Sequence, residues 1–411
     1  MNNYRYVILG GGMVAGYAAQ SFVEGGLKPG ELCIMAQEAA LPYERPPLSK
    51  DFLAGKAKEE EILINDEAFY SEHGITLKQS TPVAKVDFDA KQLTTDAGET
   101  IGYEKLLIAT GAKLRKLDIP GAELGGVLYL RSLEDSARIR EQADKAQRVV
   151  IIGGGYIGLE TSSVLAQKDI PTTVIVSGEK LLARMFTPEM SDFFRSYYEE
   201  RGVIFVKNAK AASLQGDGRV AGVTLDNGQK LSSDLVLAGI GVAPQTDLFE
   251  DGALQIEKGK GIVVNEFLET NLPDVYAAGD VVNYWDVIFN KQRHVEHWNN
   301  AVEGGKHVAK VMLGKREAYR QLPYFFSDEF DLSWEFWGDV DEFNRVVYRG
   351  EIESAKFSAW WLRDGVLVAA FVMDRPDEER DLAPQWIEAH QKVDAEKLQD
   401  ATQPLEKSAA S

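Results

Sequence analysis

YRYVILGGGMVAG (residues 4–16) runs an apolar strand into three glycines and then into small helix-compatible residues, and RVVIIGGGYIG (residues 148–158) does the same again. Each reads as strand, tight turn, helix. Gly10, Gly12 and Ala15 fit the G-x-G-x-x-G/A spacing, while Gly153, Gly155 and Gly158 fit it with glycine throughout. Glycine is required there because a side chain would bar a pyrophosphate from the N–H groups at the helix N-terminus. A single triplet can also be a tight strand-to-helix turn with no ligand. Two of them, each behind an apolar strand, point to two bound nucleotides.

Downstream signals differ between the copies. After the first, ELCIMAQE ends in Glu38, a carboxylate suited to ribose hydroxyls, placed beyond the usual ~20 residues because the polar insert EGGLKPGE intervenes. After the second, TTVIV ends at Val176 and SGEK follows, so Glu179 can reach a ribose while Lys180 or Arg184 can accept a 2′-phosphate. The choice between NADH and NADPH is open at this point.

Between and beyond the two turns, short alternating strands with turn residues recur, so the repeat spans whole domains. HWNNAVEGGKHVAKVML has helical periodicity, and from about residue 321 aromatic-rich alternation takes over, as in PYFFSDEFDLSWEFWGD. The tail after Pro376 reads as a charged surface helix with a frayed end. The expected fold is α/β: two Rossmann-like nucleotide-binding domains, a discontinuous one over 1–114 and 244–318 and another over 115–243, plus a C-terminal mixed α+β domain over 319–411.

Bulk properties exclude several functions. Lysine and arginine number 45 against 64 acidic residues, a net charge of −19 that disfavours nucleic acid and anionic membrane. The N-terminus enters a strand directly, no apolar run reaches the ~18 residues of a membrane span, and a cytoplasmic protein is expected. The single cysteine, Cys33, lies in a buried-strand pattern and rules out a dithiol pair within the chain. His294 and His297 lack further ligands nearby, so no metal site is expected.

Together with the glycine turns, LLIATGA (106–112), GIGVAPQT (239–246) and VYAAGD (275–280) resemble the flavoprotein reductases with two dinucleotide sites. PYERPPLSK, RHVEHWNNA and FDLSWEFWGD extend the resemblance to the monodehydroascorbate reductases, with ferredoxin reductases and apoptosis-inducing factors as relatives. The resemblance implies FAD at the first turn, NADH or NADPH at the second, and hydride transfer from nicotinamide to flavin. It also implies an acceptor: monodehydroascorbate, or alternatively a ferredoxin-like protein or quinone. A redox-sensing NADH-binding scaffold is the non-enzymatic alternative.

Site residues follow from the same resemblance. LPYERPPLSK (41–50) would wrap the flavin, with Arg45 on its pyrophosphate and Lys50 at the isoalloxazine, Lys50 pairing with Glu160. A lysine there would stabilise charge that develops as hydride arrives. Flavin contacts are also implied for Ala109, Thr110, Gly111, Arg131 and Asp280, and cofactor contacts for Met13, Val83 and Gly241. Glu296, His297 and Trp298 would open a helix facing the flavin. Tyr156 and Ile157 lie in the second turn, Tyr156 either gating the nicotinamide or packing between domains. In the third domain Phe336 and Trp337 form an aromatic edge, Trp337 at the site and Trp334 and Phe330 in the core. Plant-type enzymes have an arginine where this chain has Val302 and a tyrosine where it has Trp337.

Overall fold

A computed structural model describes residues 2–249 and 252–410. It divides into two compact units. The first comprises Met1–Arg45, Lys58–Lys113 and Val242–Pro323, and the second Pro46–Ala57, Leu114–Gly241 and Tyr324–Ser411.

In the first unit the strand Asn2–Leu9 lies between Leu32–Met35 and Thr100–Ile108, parallel to both, with Thr76–Lys78 beyond Leu32–Met35 and Val275–Ala277 beyond Thr100–Ile108. These strands read as near-continuous apolar runs because both faces of a parallel sheet are covered. The strand order reverses at Asn2–Leu9, which places the carboxyl-end crevice of a doubly wound sheet at the first glycine turn. Val83–Asp87 and Gln92–Thr95 add an antiparallel extension to Thr100–Ile108.

The helix Met13–Glu24 packs on the helix Trp298–Met312 through small residues. A Cβ on Gly305 would lie 2.6 Å from the Val14 carbonyl oxygen. Glycine inside a helix costs about 1 kcal/mol against alanine, and here close helix approach offsets it.

The second unit repeats the parallel pattern, in the order Val203–Val206, Thr172–Ile175, Val149–Ile152, Leu235–Ala238, Val127–Leu128. Its C-terminal part is a five-stranded antiparallel sheet, ordered Tyr324–Glu329, Leu332–Gly338, Val366–Met373, Lys356–Arg363, Arg345–Glu351. One core joins the two sheets: Phe186 and Phe194 meet Trp334 and Phe371 with ring centroids 5.5–6.3 Å apart.

The frayed tail expected from the sequence is corrected by the structure. After the helix Asp377–Glu388 the chain forms Ala395–Gln399 and a 3-10 turn at Leu405–Ser408, with Leu398, Leu405 and Ser408 buried. Arg349 holds it: its guanidinium, fixed by Glu379 at 2.8 Å, donates to the carbonyls of Leu398, Asp400 and Gln403. A buried cation satisfied by backbone carbonyls is a contact that periodicity does not reveal. Among the described residues no helix is long and apolar enough to cross a membrane.

Candidate active site

At the end of Asn2–Leu9, Gly10 has φ 129°, a conformation that disfavours any side chain, and a Cβ there would lie 2.1 Å from the Ala109 carbonyl oxygen. Gly12 is different: its backbone is ordinary (φ −88°), and a Cβ would meet only Arg45 Nη2, at 3.8 Å. It caps the helix Met13–Glu24 with no side-chain bond to the first amides. The Met13 and Val14 amides precede the first bond of the helix, which Ala15 and Gly16 make to the Gly12 carbonyl, and the turn has no side chain before them. The second turn is built alike. Gly153 has φ 117° and would clash with Gly239, whereas a Cβ on Gly155 would meet nothing within 4 Å. Gly155 likewise caps Tyr156–Gln167 without a side-chain bond.

Around the first turn the structure gathers several predicted residues. Arg45 Nη2 lies 2.9 Å from Glu38 Oε1, and the Tyr43 hydroxyl donates to Glu38 Oε2 at 2.6 Å. Burial opposes the Arg45 charge, but Tyr43, Glu38 and Asp280 outweigh it and hold its proton more tightly than usual. Glu44, which the sequence reading passed over, accepts from Tyr17 and, at 2.5 Å, from Trp298 Nε1. It thus ties residues 41–45 to the helices at Met13–Glu24 and Trp298–Met312. Thr110 Oγ1 donates to the Gln245 carbonyl at 2.8 Å, and the Gly111 carbonyl accepts from Gln245 at 2.9 Å. His297 caps Trp298–Met312 through its backbone, and burial pushes its imidazole down to about 4, so the ring is neutral. Burial also opposes charge on His294, but the Glu296 carboxylate at 3.0 Å raises its pKa overall. Val83 opens an antiparallel strand opposite Thr95 and is half-buried.

In the second unit the expected ion pair is present: Lys50 Nζ lies 3.2 Å from Glu160 Oε1. Residues 46–49 form a 3-10 turn that aims Lys50, whose ammonium also sits 4.6 Å from the centre of the Phe326 ring. Three residues not anticipated complete the surroundings. Ser49 donates to Glu160 Oε2, Ser327 donates to Glu160 Oε1 at 2.6 Å, and Glu329 lies 3.2 Å from Ser327 Oγ. The only warning in the sequence is a parity: Ser327 and Glu329 share a strand face with Phe325, inside an apolar core.

The remaining predicted residues are more dispersed. The Tyr156 hydroxyl contacts Met185 Sδ at 2.9 Å and its ring packs on Phe325 and Trp334, while Ile157 is exposed. Gly158 is fixed by packing, since a Cβ would lie 2.0 Å from the Gly153 carbonyl oxygen. Beyond Thr172–Ile175, Glu179 bonds Lys207 at 2.6 Å and Lys180 bonds Asp192 at 2.5 Å, with Arg184 exposed. The Gly241 carbonyl accepts from Arg115. Arg131 is half-buried, its backbone N–H donating to Asp135. Trp334 and Phe336 are core, and Trp337 is buried on the other face beside Tyr324, ring centroids 5.5 Å apart.

The sequence profile of the pyridine nucleotide-disulphide oxidoreductases matches residues 4–305. The chain belongs to that family. A reductase C-terminal profile matches residues 324–409. Peroxisomal monodehydroascorbate reductase 4 of Arabidopsis thaliana is 40% identical over 92% of this chain and 80% of that one. Monodehydroascorbate reductase of Pisum sativum is 37% identical over 93% and 94%. Among solved structures, a ferredoxin reductase of Rhodopseudomonas palustris covers both chains in full with a TM-score of 0.94 at 30% identity. Putidaredoxin reductase in its covalent complex with putidaredoxin gives 0.93 at 28% identity, covering 99% of this chain and 98% of that one.

As an oxidoreductase of this family the chain uses FAD and NAD(P)H. The two turns fit those cofactors: at Gly12 and Gly155 a side chain would fill space that the fold otherwise leaves open before a helix N-terminus. The disulphide chemistry in the family's name has no dithiol here. Cys33 is the sole cysteine, buried, and burial pushes its thiol up to about 12.

Proposed function

We propose that this pyridine nucleotide oxidoreductase is a monodehydroascorbate reductase, giving electrons singly to the monodehydroascorbate radical. The observation that carries the reading is the 40% identity across 92% of the chain to an enzyme of that name, against 30% or less to the ferredoxin reductases of nearly identical fold. Val302 and Trp337, which depart from the plant-type pattern, bear on how the radical is held rather than on the chemistry. Cytoplasmic residence is part of the proposal.

FAD, when bound, accepts hydride from the nicotinamide and passes electrons on one at a time. The chain's own contribution is positioning and charge. The Gly12 turn and Arg45 would take one pyrophosphate, with Glu38 and Asp280 on the hydroxyls of the same nucleotide. The Gly155 turn would take the second nucleotide, and Glu179, Lys180 and Arg184 would set its ribose preference. Lys50, held by Glu160, supplies positive charge where negative charge develops during reduction, an electrostatic role in a poorly solvated setting.

The test is steady-state NADH and NADPH oxidation while ascorbate oxidase acts on ascorbate to generate the radical, with ferricyanide as control. Rapid radical-dependent turnover is expected. Ferricyanide activity without radical activity would overturn the reading. The ferredoxin reductase structures favour a second reading, a small iron–sulfur protein as acceptor, and the same assay with a ferredoxin and cytochrome c discriminates it.

A further inference from the structure

Behind the Lys50–Glu160 pair lies a second carboxyl with no cation of its own. Glu329 is 1% exposed, and the groups bonded to it are neutral: Trp334 Nε1 donates to Oε2 at 3.2 Å and Ser327 Oγ lies 3.2 Å from Oε1. Other groups facing it are Glu160 and Tyr156 from one helix, Tyr198 from another, and Lys50, which also lies 3.9 Å from the half-exposed Asp328.

Proton counting constrains this arrangement. Ser327 has one hydroxyl proton and two carboxyl neighbours, Glu160 at 2.6 Å and Glu329 at 3.2 Å. The shorter contact takes the serine proton. The longer one is a hydrogen bond only when Glu329 carries its own proton and donates to the serine oxygen. Glu160 is already saturated by Lys50, Ser49 and Ser327, as a carboxylate should be. Two carboxyls bridged by one hydroxyl, one of them paired to a cation and the other not, form a site whose proton occupancy follows the charge beside Lys50.

We propose that Glu329 is a redox-linked proton acceptor: negative charge arriving beside Lys50 during reduction draws one proton from water into the Glu160–Ser327–Glu329 cluster. This rests on the reading above that Lys50 serves the flavin. Two electrons enter with the hydride from NAD(P)H, and none passes through the cluster. One O–H bond forms on Glu329 as a proton leaves water, and it breaks when the electrons go to the acceptor. Burial first, and the Glu160 charge second, raise the Glu329 carboxyl to about 7, where such coupling operates near neutrality.

The experiment is the midpoint potential of the FAD-loaded protein against pH, for wild type, Glu329→Gln and Lys50→Met, with flavin content and circular dichroism checked for each. Wild type should steepen above neutrality by one proton per two electrons, about 30 mV per pH unit for a tenfold change, and Glu329→Gln should lose that bend. Equal slopes in wild type and Glu329→Gln overturn the proposal. In that event, a Lys50→Met potential shift would leave the Lys50 reading standing alone, and its absence would overturn both. Reduced-minus-oxidised infrared spectra of wild type labelled with 13C-glutamate need no variant. A carboxylic acid band gained on reduction above neutrality is expected, and its absence contradicts the proposal.

Discussion

Lys50 and Glu160 are 14% and 8% exposed, so removing one partner strands a buried charge. Breaking such a pair costs about 3–5 kcal/mol. Lys50→Met should therefore lower the urea midpoint strongly, and Lys50→Met with Glu160→Gln should recover much of that loss, a coupling that a double-mutant cycle measures. Glu329 behaves oppositely with pH. The folded chain holds its proton up to about 7 against 4.5 for an ordinary carboxyl, so the stabilisation is complete below 4.5 and is lost as pH rises through about 7. The amount is roughly 3 kcal/mol. Glu329→Gln should gain stability relative to wild type over that rise, and denaturation at several pH values would show it. A constant difference would mean that Glu329 does not titrate in the fold.

The glycine turns separate packing from binding at the scale of single elements. Gly153→Ala should impair folding, because of the positive φ and the Gly239 carbonyl 2.2 Å from the new Cβ. Gly155→Ala should keep the wild-type melting temperature and raise KM for NAD(P)H, because only a ligand would occupy that space. A fall in melting temperature equal to that of Gly153→Ala would contradict this division. The C-terminal turn depends on Arg349, 4% exposed on its side chain. Arg349→Met should destabilise by about 3 kcal/mol, because the carbonyls of Leu398, Asp400 and Gln403 lose their common donor while Glu379 keeps Arg375 at 2.7 Å, and limited proteolysis should then release the tail. The turns were legible in the sequence because their chemistry demands glycine at fixed spacing. The Arg349 clamp and the Ser49–Ser327–Glu329 surroundings of Glu160 were not, since they join side chains far apart in sequence through contacts that carry no local pattern. Within Tyr324–Glu329 the alternation did hold a clue, two polar residues on the apolar face, which composition-level reading of an aromatic strand passes over.

For the whole molecule, the doubled nucleotide architecture was readable because a repeat of strand, glycine turn and helix has few structural solutions. The acceptor is a different matter, as one fold serves several electron acceptors and relatives of each kind share it. Net charge bears on the choice. At −19 the protein repels the anionic radical, so kcat/KM for monodehydroascorbate should rise with added salt as the Debye length shortens. A fall with salt would reveal a cationic approach that overrides the global field. The measurement that separates the acceptors is stopped-flow reoxidation of the NADH-reduced protein mixed with monodehydroascorbate, beside the same mixing with an iron–sulfur protein such as oxidised ferredoxin. Fast, radical-dependent return of the oxidised flavin spectrum is expected, consuming two radicals per flavin and outpacing the ferredoxin. Reoxidation by the ferredoxin with an inert radical would contradict it.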